Sequence, residues 1–187
     1  MEGLVDEHGP ATLGRRPRVD ERFERLARSI AYQQLAGAAA ATIWGRTQAT
    51  LGHEVTPETV LRADPRALRA AGLSGAKAAA LTDLALKVDD GSVNLERIGR
   101  RDDPAVVEEL TQVRGIGEWT AQMFLIFSLR RLDVWPTGDL GVRNGYAIAF
   151  GLPESPSAQE LEPLGEVFTP HRSVAAWYLW RAADTRL

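Results

Sequence analysis

Residues 104–145 read PAVVEELTQVRGIGEWTAQMFLIFSLRRLDVWPTGDLGVRNG, and the punctuation of that stretch decides the fold. Asp102 and Asp103 stand before Pro104, and Glu108 and Glu109 follow, which is a helix-start signal; Val106, Val107, Leu110 and Val113 supply an apolar face. The helix is predicted to end at Arg114. Gly115-Ile116-Gly117 then sets two glycines around an apolar plug, after which Trp119, Thr120, Ala121, Met123, Phe124 and Phe127 recur at helical spacing. The prediction is helix, tight turn, helix, over about 104–130. Such a turn exposes the backbone N–H groups of Gly117, Glu118 and their neighbours at a helix N-terminus, a ready site for one phosphate oxygen. The glycines are expected to supply positive φ and to let a sugar-phosphate backbone approach the main chain. Taken alone, Gly-x-Gly is more often an αα-hairpin in an ordinary bundle.

The pattern as a whole says more. L-x-x-V-x-G-I-G-x-W-T-A, then an apolar helix, then an Asp opening another helix, resembles the helix-hairpin-helix-GPD superfamily of base-excision DNA glycosylases. Leu110, Val113, Gly115, Ile116, Gly117, Trp119, Thr120, Ala121 and Asp139 carry the resemblance. Within that superfamily the chain is most similar to the 3-methyladenine DNA glycosylase II branch. Residues 29–35, SIAYQQL, resemble its first barrel helix, and Pro170-His171-Arg172-Ser173 through Trp180 its last. The similarity covers about residues 20 to 182. It implies an all-α, two-lobed fold: a helical barrel over 19–131, and a second helical lobe from 1–18 plus 132–187. No N-terminal β domain is expected, since nothing ahead of residue 20 has room for one.

Composition agrees. The 187 residues are 44% hydrophobic and 25% charged, an ordinary globular balance long enough to bury a core. Alanine and leucine dominate and β-branched runs are scarce, which argues for helices. No run approaches ~18 consecutive apolar residues, and the N-terminus lacks a basic segment followed by an apolar core. A cytoplasmic protein is expected, nucleoid-associated in a bacterium, with no membrane partner. The chain has no cysteine, which removes disulfides, thiolate nucleophiles, zinc fingers and iron–sulfur clusters together.

Net charge is −3, although nucleic-acid proteins commonly carry a basic footprint. Arg114, Arg130, Arg131, Arg143, Arg172 and Arg181 lie in or near the segments expected to face DNA, so a local basic stripe on an acidic body is predicted, with affinity that falls as salt rises.

Along the chain, residues 1–18 show no periodicity and read as a loosely packed arm. Phe23, Leu26, Ala27 and Ile30 give the first long helix, with Asp20 as N-cap. A second helix, Ala36 to about Leu51, follows the Gln33-Gln34-Leu35 junction. Short helices begin at Thr56-Pro57 and Asp64-Pro65, and a long one follows Ser74-Gly75. Asp89 to Asp103 reads as a loop with one weak turn around Leu95 to Ile98. Three more helices are predicted, from Leu140 to about Phe150, Ser157 to Phe168 and His171 to Ala183.

Breaking an N-glycosidic bond develops positive charge on the sugar, so the most useful protein group is a fixed carboxylate near C1′. Asp139 sits at or near the first residue of a helix, where the N-terminal dipole favours a negative charge, and it is the expected catalytic carboxylate. A plain helix cap is the bland reading of the same residue. No general acid is apparent, which fits a leaving group such as 3-methyladenine that already carries positive charge. The resemblance implies a base pocket of Trp119, Trp180 and Met123, with aromatic faces for an electron-poor base. Any of the three can be read simply as core, Met123 most readily. In the family the junction after the first helix supplies a wedge that fills the gap behind a flipped nucleotide; Gln34 or Leu35 matches it here, with Gln33 beside it. Alone, Gln33-Gln34 reads as a solvated helix end.

Gly115, Gly117 and Thr120 match the phosphate-gripping hairpin, and Arg143 and Arg172 are candidate phosphate contacts. The family hairpin also holds Na+ or K+ through main-chain carbonyls, here those of Thr111, Val113 and Ile116; no cofactor is otherwise required. Strand-cutting relatives carry a lysine where this chain has Trp119, and an indole cannot form a Schiff base. Lys77 and Lys87 are the only lysines and neither lies near the motif. The expected activity is monofunctional excision of alkylated purines from double-stranded DNA by a monomer. A non-catalytic hairpin module, and a glycosylase for deaminated or oxidised bases, remain open.

Overall fold

The computed structural model describes residues 1–35 and 37–184; the expected helix start at Ala36 and the last residues, 185–187, lie outside them. Among the described residues the chain is all-helical and contains no strand. In order the helices are α1 (Glu2–His8), α2 (Arg22–Tyr32), α3 (Gly37–Thr50), α4 (Pro57–Arg62), α5 (Pro65–Ala70), α6 (Gly75–Asp89), α7 (Asp103–Thr111), α8 (Glu118–Phe124), α9 (Leu140–Phe150), α10 (Ala158–Leu164) and α11 (Arg172–Asp184). Single 3-10 turns occur at Ile98–Arg100 and Glu166–Phe168, and α8 runs on into a π-turn at Leu125–Leu129. No described helix is long and apolar enough to cross a membrane.

Polar side chains set the helix starts. Asp64, Ser74 and Asp102 accept hydrogen bonds from the N–H groups of Arg66, Lys77 and Ala105, and Thr56 and Ser157 form reciprocal capping boxes with Thr59 and Glu160. Asp20 is not the cap of α2, because its carboxylate is engaged by Arg18 and the helix begins at Arg22.

The chain folds into two compact units, Pro17–Ala121 and Met1–Arg16 with Gln122–Leu187. The expected end of the barrel is residue 131. The division falls instead inside α8, because the stretch after Ala121 packs with the C-terminal helices: Phe127 stacks on Trp180 with ring centroids 5.6 Å apart.

In the first unit α6 packs against α2, α4 and α5, burying Leu26 and Ile30 of α2 with Leu81 and Leu84 of α6. Two buried charges order the irregular stretch before α7. Arg22 Nη1 donates to the Leu95 carbonyl at 2.6 Å, and Glu109 accepts from the Asn94 N–H at 2.6 Å and pairs with Arg101. Each replaces lost hydration with fixed partners, which is the condition for burying a charge.

In the second unit α9 packs against α11 around Trp135, Val142, Tyr146, Leu161 and Leu179. Their backbones meet so closely that a Cβ on Gly145 would strike the Leu179 carbonyl. The first residues are not a loose arm. Helix α1 packs on α11, the Tyr178 hydroxyl donates to the Gly9 carbonyl at 2.8 Å, and the Arg130 guanidinium donates to the Leu13 and Arg15 carbonyls. These ties come from residues more than a hundred positions away, so no local periodicity announced them.

Candidate active site

Asp139 is placed by the turn that follows Trp135-Pro136. Its N–H donates to the Pro136 carbonyl at 3.0 Å, its backbone is extended, and it occupies the N-cap of α9, with Oδ1 accepting from the Val142 N–H at 2.8 Å. Trp180 of α11 donates its indole N–H to the same Oδ1 at 2.8 Å. The residue is only 8% exposed, and its carboxylate faces the N-terminal end of α9 and two convergent donors. Trp180 is half-buried, its ring stacked on Phe127 at an interplanar angle of 30°. Gly141 makes this arrangement possible: a Cβ there would lie 2.8 Å from Trp180 Cδ1 and 3.1 Å from Asp139 Oδ1. Neither Gly141 nor Phe127 stands out as a site residue in the sequence, since both follow from the approach of α11.

The hairpin turn lies in the other unit. Gly115 has φ +78°, the left-handed conformation, and a Cβ on it would come within 3.1 Å of Ala80 Cβ. Gly117 is different. Its φ is not positive, and a Cβ there would meet open space, so the turn needs left-handed backbone at Gly115 alone and Gly117 contributes only an unobstructed approach. Asp83 of α6 accepts from the Arg114 N–H at 2.7 Å. Gln33 Nε2 donates to the Gly115 carbonyl at 2.9 Å and reaches Thr120 Oγ1 at 3.5 Å. Thr120 is 4% exposed, so its hydroxyl is an internal acceptor rather than a surface phosphate ligand.

A match to the family model described as HhH-GPD superfamily base excision DNA repair protein spans residues 27–171. The chain belongs to the HhH-GPD superfamily. It is 39% identical over 166 residues to DNA-3-methyladenine glycosylase 1 of Schizosaccharomyces pombe, covering 87% of this chain and 73% of that protein. It is 31% identical over 182 residues to the alkylbase DNA glycosidase-like protein mag2 of the same yeast, covering 95% and 85%. Among solved structures it superposes on S. pombe 3-methyladenine DNA glycosylase Mag1 in complex with abasic DNA with a TM-score of 0.88 at 36% identity, covering all of this chain and 91% of that one. The Bacillus halodurans DNA-3-methyladenine glycosidase gives 0.88 at 34% identity, covering 99% and 84%. The resemblance read from the hairpin and Asp139 is therefore borne out at the level of family and fold.

The remaining expected site residues of this HhH-GPD protein fall into two groups. At the α2–α3 junction Gln34 is exposed with φ +57°, Leu35 is exposed, and Gln33 is turned inward to the hairpin. Trp119 stands 46% exposed in the first turn of α8, and Met123 is half-buried one turn later. The candidate phosphate arginines, in contrast, have internal partners. Arg172 forms a bidentate pair with Asp133 (2.7 and 2.9 Å), which holds the Asp133 carboxyl below and the Arg172 guanidinium above their ordinary pKa values. Arg143 Nε donates to the Pro156 carbonyl at 2.6 Å. Arg130 holds the N-terminal segment, and Arg181 lies over the Trp177 ring. Of the expected basic stripe, Arg130, Arg143 and Arg172 thus donate to internal acceptors, while Arg114 and Arg181 are exposed.

Lys77 is brought to the end of α2, next to the residue whose side chain reaches the hairpin. Its ammonium donates to the Ala31 and Gln33 carbonyls at 2.9 and 2.5 Å, and burial lowers its pKa from the ordinary lysine value.

Proposed function

We propose that this HhH-GPD protein is a monofunctional DNA glycosylase that excises alkylated purines of the 3-methyladenine and 7-methylguanine type from double-stranded DNA. The observation that carries the reading is the Asp139 carboxylate, buried at a helix N-terminus and oriented by Trp180, in a chain whose relatives are named for that activity. As the glycosidic bond breaks, its electron pair leaves with the base and positive charge spreads over C1′ and O4′ of the sugar. A fixed anion stabilises that charge, and more so where water is excluded. Water then bonds to C1′ and gives up a proton, with Asp139 positioned to orient it. The products are free base and an abasic site. An alkylated purine is cationic before departure, so it leaves as a neutral base without a protein acid, and an indole face attracts it while it is bound. Trp180, which donates to Asp139, is the indole assigned to that task.

The glycine turn is assigned to grip one phosphate of the damaged strand, and Gln34 or Leu35 to fill the gap left by the extruded nucleotide. The family's alkali cation suits this turn: the donors are main-chain carbonyl oxygens, and Val113 O, which accepts from the Ile116 N–H at 3.0 Å, retains a second lone pair. The Thr111 hydroxyl donates back to Val107 O at 2.8 Å, and the atom assigned to the cation at that residue is its main-chain carbonyl. A cation held there by Thr111, Val113 and Ile116 would add positive charge facing a phosphate. Strand cleavage is not expected, because Trp119 stands where lyases carry lysine and the Lys77 amine is occupied by two carbonyls.

The test is a duplex panel containing 3-methyladenine, 7-methylguanine, uracil or 8-oxoguanine, scored for released base and then for nicks before and after alkali. Release of methylated purines with nicks only after alkali is expected. No release from any duplex would leave a binding module, and nicking without alkali would end the monofunctional assignment.

Gly141→Ala tests the geometry of the carboxylate. Alanine suits a helix better than glycine, but the new methyl must displace the Trp180 indole from Asp139 Oδ1. Single-turnover base release should fall by on the order of 10-fold or more, with little loss of melting temperature. Full activity would mean that the Trp180–Asp139 hydrogen bond is dispensable.

A further inference from the structure

Gln34 is a non-glycine residue held at φ +57°, a conformation that persists only where its surroundings enforce it. The surroundings here are specific. On one side the Lys77 ammonium collects the carbonyls that end α2, those of Ala31 and Gln33. On the other, the side chain of Gln33 leaves the junction and donates to the carbonyl of Gly115, at the left-handed position of the hairpin turn. Helix α6 supports both ends, since Lys77, Ala80 and Asp83 recur at three-residue spacing: Lys77 holds the junction, Ala80 lies under Gly115 and Asp83 accepts from the Arg114 N–H. The junction and the turn are 82 residues apart in sequence. The side-chain amide of Gln33 joins them across a common frame, donating to the Gly115 carbonyl and reaching Thr120 Oγ1.

We propose that Gln33 is a positioning residue that locks the hairpin turn to the α2–α3 junction, so that the phosphate grip and the gap-filling side chain of Gln34 keep a fixed spacing before DNA arrives. This rests on the proposed function of those two elements, and it removes Gln33 from the wedge itself. A carbonyl that accepts from a fixed amide cannot tilt away, so the Gly115–Gly117 backbone is preorganised for its ligand. Preorganisation lowers the ordering cost of binding rather than adding a contact. Loss of the strut should therefore weaken DNA binding while leaving the chemical step nearly intact. Loss of a wedge should slow base release even on saturated enzyme.

The experiment compares wild type, Gln33→Met and Gln34→Ala as full chains. Methionine keeps the length and packing of glutamine and removes the donor, and Gln33→Ala serves as a second variant if Gln33→Met is poorly folded. Amide hydrogen exchange of residues 113–121 is measured first, without DNA. Exchange about 10-fold faster in the Gln33 variant and unchanged in Gln34→Ala is expected, since a single internal hydrogen bond is worth roughly that factor. Equal exchange in all three proteins overturns the strut. With methylated duplex, Gln33→Met should raise the half-saturating enzyme concentration about 10-fold with the saturated single-turnover rate within about two-fold of wild type, whereas Gln34→Ala should lower that rate. A Gln33 variant that loses rate at saturation and keeps wild-type exchange belongs in the wedge, contrary to the proposal. The exchange arm does not depend on activity, so a wild type that binds no DNA would overturn the proposed function separately from the strut.

Discussion

Asp139→Asn is expected to lower single-turnover base release by on the order of 10³-fold, about 4 kcal/mol of transition-state stabilisation at 1.36 kcal/mol per factor of ten. Melting temperature and duplex affinity should stay close to wild type. The reason for that separation lies in the geometry. Both described donors to the side chain, the Val142 N–H and the Trp180 indole, converge on Oδ1, and an asparagine carbonyl can occupy that place. Asparagine is also as good a helix N-cap as aspartate. What disappears is the negative charge, which stabilises an oxocarbenium-like sugar and does little for the ground state. A variant that releases 3-methyladenine at the wild-type rate would remove Asp139 from the mechanism. A variant that loses activity only because its melting temperature collapses would return the residue to a capping role.

Gly145→Ala carries the largest expected effect on stability, with no chemistry involved. The added Cβ would coincide with the main-chain carbonyl of Leu179, and a backbone atom cannot swing aside as a side-chain tip can. Helices α9 and α11 must separate, loosening the cluster of Val142, Tyr146, Leu161, Ala176 and Leu179. Overpacking of this kind costs about 3 kcal/mol or more, which for a chain of this length corresponds to a fall in melting temperature of roughly 10 °C. Since α9 carries Asp139 and α11 carries Trp180, activity should fall alongside stability, in contrast to Asp139→Asn. Calorimetry showing a change of less than about 1 °C would mean the helix crossing is looser than it stands here.

Several features were open to a reader of the chain alone. Alanine-rich composition, side-chain caps and apolar spacing determined that the protein is helical and roughly where its helices begin, because those signals act within a few residues of one another. The Gly-Ile-Gly turn and the following aspartate carried the family, since a left-handed backbone and a helix-start carboxylate each demand particular residue types at particular positions.

The tertiary structure alone decided what depends on residues distant in sequence. It gave Arg172 to Asp133, Arg143 to Pro156 and Arg130 to the first residues of the chain, because a guanidinium with an internal acceptor nearby gives up its solvent-facing role. It turned Gln33 toward Gly115 and brought Lys77 to the end of α2, and it made Gly141 and Gly145 necessary through the approach of α11. A glycine's requirement for space, and a charge's choice of partner, belong to the packed assembly of helices. No local pattern records either one.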